Sequence, residues 1–313
     1  TVVVGLDVDQ GLLSFARRHR AGLVLVHHPL IFKPLSRIVA GSHVGGLVGA
    51  FLKAEIAVIA LHTNLDYAPG GVNDRLASTL GLKQIKPLLP WGQGMLAKLA
   101  VCIPTEELEK MRSVLAEVGA GVIGDYSECS FASAGTGTFR PGADATPAKG
   151  DPGRINSVEE AKLEVLIPQN RLPEALRIIG ELHPYEQPAY DIIPVENPVV
   201  GAGKGRIGMT AREMSVSGLA RKAARELSAS HIRISGDKEA KVRKVAVSSG
   251  SAKGFVEIAR RAGVDALVVG EMPHHERLEA TDLGPPTIEL GHGESEQPAI
   301  WVMADWMKER FSR

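Results

Sequence analysis

The 313-residue chain carries 36 Lys+Arg against 36 Asp+Glu, with 44% hydrophobic and 23% charged residues. That balance is typical of a globular chain and gives no support to a nucleic-acid partner held by a basic surface. Its two cysteines, Cys102 and Cys129, form neither a disulfide framework nor a zinc-ribbon spacing, which fits a reducing, cytoplasmic setting, and its most apolar stretch, 47–61, is broken by Lys53 and Glu55, so no membrane span is expected.

The chain opens directly on an apolar, strand-like run, TVVVGLDV (1–8), which leads to the expectation of a further segment upstream of Thr1. A helix containing Arg17 and Arg18 follows, then a second strand that ends LVLVHHP (23–29). Neighbouring side chains on a strand point to opposite faces, and Pro29 stops the strand as an interior ladder member. Taken alone, His27-His28 would be one imidazole capping the strand and one facing solvent. A third strand in 56–61 leads to His62, with Asp66 four residues on. LLPWGQG (88–94) has the chemistry of a boundary.

The middle of the chain repeats itself. AKLAVCIPTEELEKMRSVLAEVGAGVIGDY (97–126) parallels AKLEVLIPQNRLPEALRIIGELHPYEQPAY (161–190). Each copy reads as a strand ending in Ile-Pro, an amphipathic helix and a further strand, and two such units predict a ferredoxin-like βαββαβ domain. Residues 131–154, rich in Gly, Pro, Ala and Thr, read as a long loop. A second boundary falls in VENPVVGAGKG (195–205).

The first segment then recurs. VAVSSGSAKGFVEIARRAGVDALVVGEMPHH (245–275) parallels residues 2–29, setting His274-His275 against His27-His28, and PTIELGHGESE (286–296) parallels 56–66, setting His292 and Glu296 against His62 and Asp66. Apolar strands alternating with helices predict a largely parallel sheet covered on both faces. The predicted organisation is an α/β domain built by duplication from residues 1–92 and 203–313, interrupted by a ferredoxin-like insert at 93–202.

Six of the ten histidines, His27, His28, His62, His274, His275 and His292, follow strands of this outer repeat. Ligands bind at the carboxyl ends of strands in open parallel sheets. Imidazoles converging there with Asp66 and Glu296 suit a transition metal, Zn, Fe, Mn or Co, over an all-oxygen Mg or Ca site. A carboxylate can bridge two cations, and adjacent histidines can serve one each. The alternative is a duplicated scaffold whose histidines only cap strands. GAGKGRIG (201–208) looks like a phosphate loop but lacks the Walker spacing, and reads better as a linker. GTGTF (135–139) is open between an anion-binding loop and simple flexibility. HPYE (183–186) reads as structural, with Tyr185 packing and His183 capping, and Cys102 as core.

HHPLIF (27–32), HTNLD (62–66), GEMPHH (270–275) and GHGESE (291–296) resemble, in this order, signature segments of the Nif-three-like dinuclear metal-centre proteins, often named GTP cyclohydrolase I type 2 homologues. The likeness extends over nearly the whole chain, and the middle repeat is similar to PII-like and CutA-like trimerising modules. The resemblance implies a ligand set of His27, His28, Asp66, His292 and Glu296, two divalent ions per chain and a ring-shaped homohexamer. It also implies a metal-dependent hydrolase acting on GTP or on another nucleotide or phosphoester, with Glu296 at the ions. His62, His274, His275 and Glu294 are then free to orient substrate or move protons. The competing reading is a ring-forming scaffold or metal-responsive regulator in which the PII-like insert senses.

Overall fold

The computed structural model describes residues 1–91 and 95–311, so the last part of the predicted 88–94 boundary lies outside the described residues. The chain divides into two units, Thr1–Trp91 with Gly201–Arg313, and Gly92–Val200.

The first segment of unit one runs β1 (Val2–Gly5), α1 (Gln10–Arg18), β2 (Leu23–Val26), α2 (His43–Lys53), β3 (Ala57–Ala60), α3 (Thr63–Tyr67), α4 (Val72–Thr79) and β4 (Lys83–Pro90). The strands β1, β2 and β3 form a parallel sheet in that order, with Val2 opposite Leu23 and Leu23 opposite Ala57. Asp9 starts α1 by accepting from Leu12 N, and Arg17 and Arg18 sit in its last turn, where cations complement the helix dipole. Leu13 and Ala16 of α1 and Phe51 of α2 bury one face of the sheet through Val3, Val24 and Val26.

Unit two contains β5 (Leu96–Pro104), α5 (Leu108–Glu117), β6 (Ser130–Phe139), β7 (Asn156–Pro168), α6 (Leu172–Leu182) and β8 (Tyr190–Val195). Its four-stranded antiparallel sheet has the order β6-β7-β5-β8, a split βαββαβ topology. Alternate residues Ala97, Leu99, Val101 and Ile103 of β5 pack with Met111, Leu115, Ala175 and Ile179 of the two helices. Period-two alternation therefore turns Cys102 to the opposite face, half-buried rather than in the core. The predicted loop over 131–154 is also corrected. Residues Ser130–Phe139 form β6, paired with β7 from Ser130–Val165 to Phe139–Asn156, so GTGTF is strand. Long cross-strand pairing overrides its Gly-rich composition.

The second segment of unit one adds β9 (Gly203–Ser215), α7 (Val216–Glu226), β10 (Arg233–Ser235), β11 (Lys241–Ser251), α8 (Phe255–Arg261), β12 (Ala266–Glu271), α9 (His274–Asp282), β13 (Thr287–Glu289) and α10 (His292–Phe311). These strands join β4 in a sheet ordered β10-β13-β12-β11-β9-β4. Only β11, β12 and β13 run parallel; β10, β9 and β4 pair antiparallel. The expected largely parallel sheet is thus two sheets, each with one parallel three-strand repeat. Ala299, Val302 and Met303 of α10 pack on Val2, Val4 and Leu25 of the first sheet, while Trp301 packs with the core of the second, so α10 lies between them. No helix among the described residues is long and apolar enough to cross a membrane.

The strand register corrects the repeat. Val2 pairs with Leu23 and Val245 with Ala266, so His27-His28 correspond to Gly270-Glu271. His274-His275 come later, exposed in the first turn of α9. The other pair matches after one extra residue. Leu61 N donates to Val26 O and Leu290 N to Val269 O, and Gly291, at φ +100, is then inserted before His292. Such a conformation favours glycine.

Candidate metal centre

His27 and His28 follow β2, His62 and Asp66 flank the start of α3, and His292 and Glu296 lie one turn apart at the start of α10. All six meet at the carboxyl ends of the two parallel repeats. Nε2 of His27 is 3.7 Å from both Asp66 Oδ1 and Glu296 Oε1. Glu296 Oε2 is 2.9 Å from His28 Nε2 and 3.2 Å from His292 Nε2. Ligating atoms of His27, His28 and His62 lie within 4.8 Å of one another, as do those of His28, His292 and Glu296. His62 therefore stands in the cluster although the family resemblance leaves it out of the ligand set. His274 and His275 do not line the cavity described below, and Glu294 folds toward Gly291.

The inward aim of the imidazoles is set from behind. His27 Nδ1 donates to Leu61 O at 2.7 Å, His28 Nδ1 faces Asp7 Oδ1 at 2.7 Å and His292 Nδ1 faces Glu271 Oε1 at 2.9 Å. With an acceptor on each Nδ1–H, the lone pairs on Nε2 turn to the centre, as outer partners do for metal-bound histidines. Asp66 Oδ1 accepts from Ser249 Oγ at 3.2 Å and its carbonyl from Asn73 Nδ2 at 3.0 Å, while Asn73 Oδ1 accepts from Ser249 N at 2.8 Å. Asp7, Asn73, Ser249 and Glu271 were not singled out in the sequence. The usable signal for Asp7 and Glu271 was their place at the end of a repeat strand.

Arg206, in GAGKGRIG, is fully buried. It grips Asp74 with Nε to Oδ1 at 2.7 Å and Nη2 to Oδ2 at 2.8 Å, and donates to the carbonyls of Gly203, Gly205 and Ala68. The segment is neither a phosphate loop nor a linker. It begins β9 and locks the turn after α3, and hence Asp66, onto the second sheet.

The electrostatics follow from crowding. Burial works against protonating His27, but Glu296 and Asp66 outweigh it and raise its pKa. The Glu296 carboxylate, with Asp7 behind, lifts His28 to about 9. Burial and the charges of His27 and His28 lower His62. Burial raises Asp66 to about 6. Burial would raise Glu296 too, but its His27 and His28 contacts prevail and hold it at about 2.

Three features fit a divalent ion. Nε2 of His27 is buried without a partner in hydrogen-bond geometry, which costs about 1–3 kcal/mol unless something else satisfies it, and Oε2 of Glu296 is buried with only the imidazoles of His28 and His292 beside it. Gly250, at φ +60, leaves open the space beside Glu296, where a Cβ would run into Oε1. The mixed imidazole and carboxylate donors suit Zn, Fe, Mn or Co. Beside the cluster lies a cavity of about 340 Å³, walled by Tyr67, Phe255 and the hydroxyl-bearing Thr63, Ser248 and Ser251.

Protonated His28 must lose its proton to ligate through Nε2. Zinc loading of chelated protein at pH 7 is therefore expected to release protons, and affinity to rise as pH climbs through about 9, where His28 loses its proton without metal. Calorimetry in buffers of different ionisation enthalpy checks this. Proton-neutral, pH-independent binding would contradict it.

The fold and the cluster at its strand ends define an α/β protein with His/Glu groups able to hold a metal. The family model described as Duf34/NIF3 (NGG1p interacting factor 3) matches residues 1–313, and the chain belongs to this family. A Bacillus subtilis relative named GTP cyclohydrolase 1 type 2 homolog is 38% identical over 93% of this chain and 78% of its own length. A Mycobacterium tuberculosis relative of the same name is 36% identical, covering 99% and 83%. The crystal structure of a Bacillus cereus protein related to NIF3 superposes with a TM-score of 0.81 at 34% identity, over 98% of this chain and 83% of that one.

Proposed function

We propose that the protein is a metal-dependent hydrolase whose centre is built from His27, His28, Asp66, His292 and Glu296 and takes two divalent ions. The observation that carries it is the buried, unpartnered His27 Nε2, aimed with His28 and His292 at the Glu296 carboxylate and set beside a cavity with room for a small substrate. Divalent ions held there would supply Lewis-acid polarisation and acidify water. Glu296 presents one carboxylate oxygen to His27 and the other to His28 and His292, which suits a bridging ligand. His62 lines the cavity with its ring 5.3 Å from that of His27, placed to accept a proton from water or return one to a leaving group. Ser248, Ser251 and Thr63 offer hydroxyls to orient substrate, and Phe255 and Tyr67 give it apolar walls.

The substrate class proposed is a nucleotide or phosphoester. GTP is the first candidate because the relatives are named for it. The test is a screen of zinc-, manganese- and iron-loaded protein for ring-opened product from GTP and for phosphate release from esters, against Glu296→Ala. Phosphate release without ring opening would move the assignment to a phosphohydrolase. No turnover at full metal occupancy would defeat the hydrolase reading and favour a scaffold.

We further propose that the chain assembles with itself into a closed ring, of six copies by the family resemblance. The exposed Ile31, Phe32, Leu52 and Ile59, near and on the open edge of β3, support such an interface, since apolar side chains and an unpaired strand edge call for cover. Light scattering should give six times the chain mass. A stable monomer at micromolar concentration would rule the ring out.

A further inference from the structure

We propose that unit two carries a separate binding site for an uncharged heteroaromatic ring, one that uses no residue of the metal cluster. A cavity of about 410 Å³ lies on the face of its sheet turned away from α5 and α6. Its size and make-up, apolar walls with a few polar groups, are those of a small-molecule site. Phe139, Pro141, Ala145 and Pro147 supply the walls, and Cys102 and Tyr185 belong to the same lining.

Two polar groups are left to specify the ligand. The Tyr185 hydroxyl is buried with no partner in hydrogen-bond geometry. Burial and a hydrogen-bonding contact with the neighbouring Glu160 raise its pKa, so the hydroxyl stays protonated, and that contact is too poorly aligned to satisfy it. The Glu160 carboxylate is an acceptor. It lies over Gly137, where a Cβ would collide with it, so the bare strand leaves it room. A donor next to an acceptor above apolar walls matches the edge of a planar ring that has an N–H and a carbonyl or ring nitrogen. Nucleobases are such rings. An anionic ring is disfavoured. The cations Arg140 and Lys149 in the lining are balanced by Glu160 and Glu186, and Lys149 is paired to Glu106. Glu186 accepts from Thr146 N, tying down the segment that roofs the cavity.

The position of Cys102 supplies a reporter. In a Cys129→Ser background it is the sole thiol, and a ligand in the cavity shields it. The experiment titrates the full chain with adenosine and guanosine, with benzoate and cyclohexanol as controls, using ligand-observed NMR. The expected result is saturable nucleoside binding that slows Cys102 alkylation and is unchanged in Glu296→Ala. Tyr185→Phe, which deletes one hydrogen bond, is expected to weaken it about fivefold. Cys102→Phe, which fills the cavity, is expected to abolish it. Should that variant fail to fold, Tyr185→Phe and the alkylation rate decide. The proposal is overturned by no saturable binding of either nucleoside, by equal binding of benzoate, or by affinity that Tyr185→Phe leaves intact. Loss of binding in Glu296→Ala alone would place the ligand at the metal cluster and also overturn it.

Discussion

Glu296→Ala is expected to strip the cluster of metal while leaving the fold intact. Glu296 alone places carboxylate oxygens against three imidazoles, at 3.7 Å from His27 and at 2.9 and 3.2 Å from His28 and His292. Loss of an outer partner of a metal ligand already costs roughly 10–100-fold in affinity, so loss of this central carboxylate should cost more than about 100-fold. The helix should survive, because alanine is the best helix former. Its neighbour Ser295 keeps the bonds that hold the turn, accepting from Gly250 N and donating to His292 O. Elemental analysis and far-UV circular dichroism give the two readouts. His275→Ala, on an exposed helical turn outside the cavity lining, is the control and should keep wild-type metal. Wild-type occupancy in Glu296→Ala would remove the basis for the proposed centre.

The second large effect concerns stability. Arg206→Met should destabilise unit one by about 3 kcal/mol, the low end of the range for breaking a buried ion pair, because Arg206 is fully buried while Asp74 is partly exposed. Asp74 would keep its charge and lose its bidentate partner, and the carbonyls of Ala68, Gly203 and Gly205 would lose their donors. An ion pair replaced on both sides by apolar residues is often neutral. Here the double variant Arg206→Met, Asp74→Leu should not recover, because the carbonyls stay orphaned. Trp91, Trp301 and Trp306 all belong to unit one, so fluorescence in urea follows that unit by itself. A loss below about 1 kcal/mol, the net worth of an ordinary hydrogen bond, would show that the network is only decoration. Metal binding should weaken as well, since Asp66 depends on the turn that Arg206 holds.

Much of unit one was legible from local pattern. Apolar runs such as LVLV and AVIA read as strands, the first buried by its neighbours and the second on the sheet edge, and the breaks after them place His27, His28 and His62 at strand ends. The four-residue spacing of His292 with Glu296 is one turn of α10, so the pair shares a face, and His62 just before α3 stands at the same spacing from Asp66. The tandem strand-helix-strand pattern of the middle segment likewise carried its βαββαβ order. These features depend on periods of two and 3.6, which any stretch of sequence displays by itself.

Partners far apart in the chain were decided only by the tertiary structure. His274-His275 looked equivalent to His27-His28, yet strand register sets Gly270-Glu271 in that place, with Glu271 serving His292 from behind. Arg206 read as part of a linker because its partner Asp74 lies 132 residues away. GTGTF read as loop because glycine content says nothing of the ladder that β7 offers it. Cys102 read as core because an apolar strand does not reveal which of its faces the helices cover. Sequence determines which residues carry chemistry and the spacing at which they recur. Register, crossover and the choice of sheet face determine which of them meet, because those depend on free energies summed over contacts between segments that no local window contains.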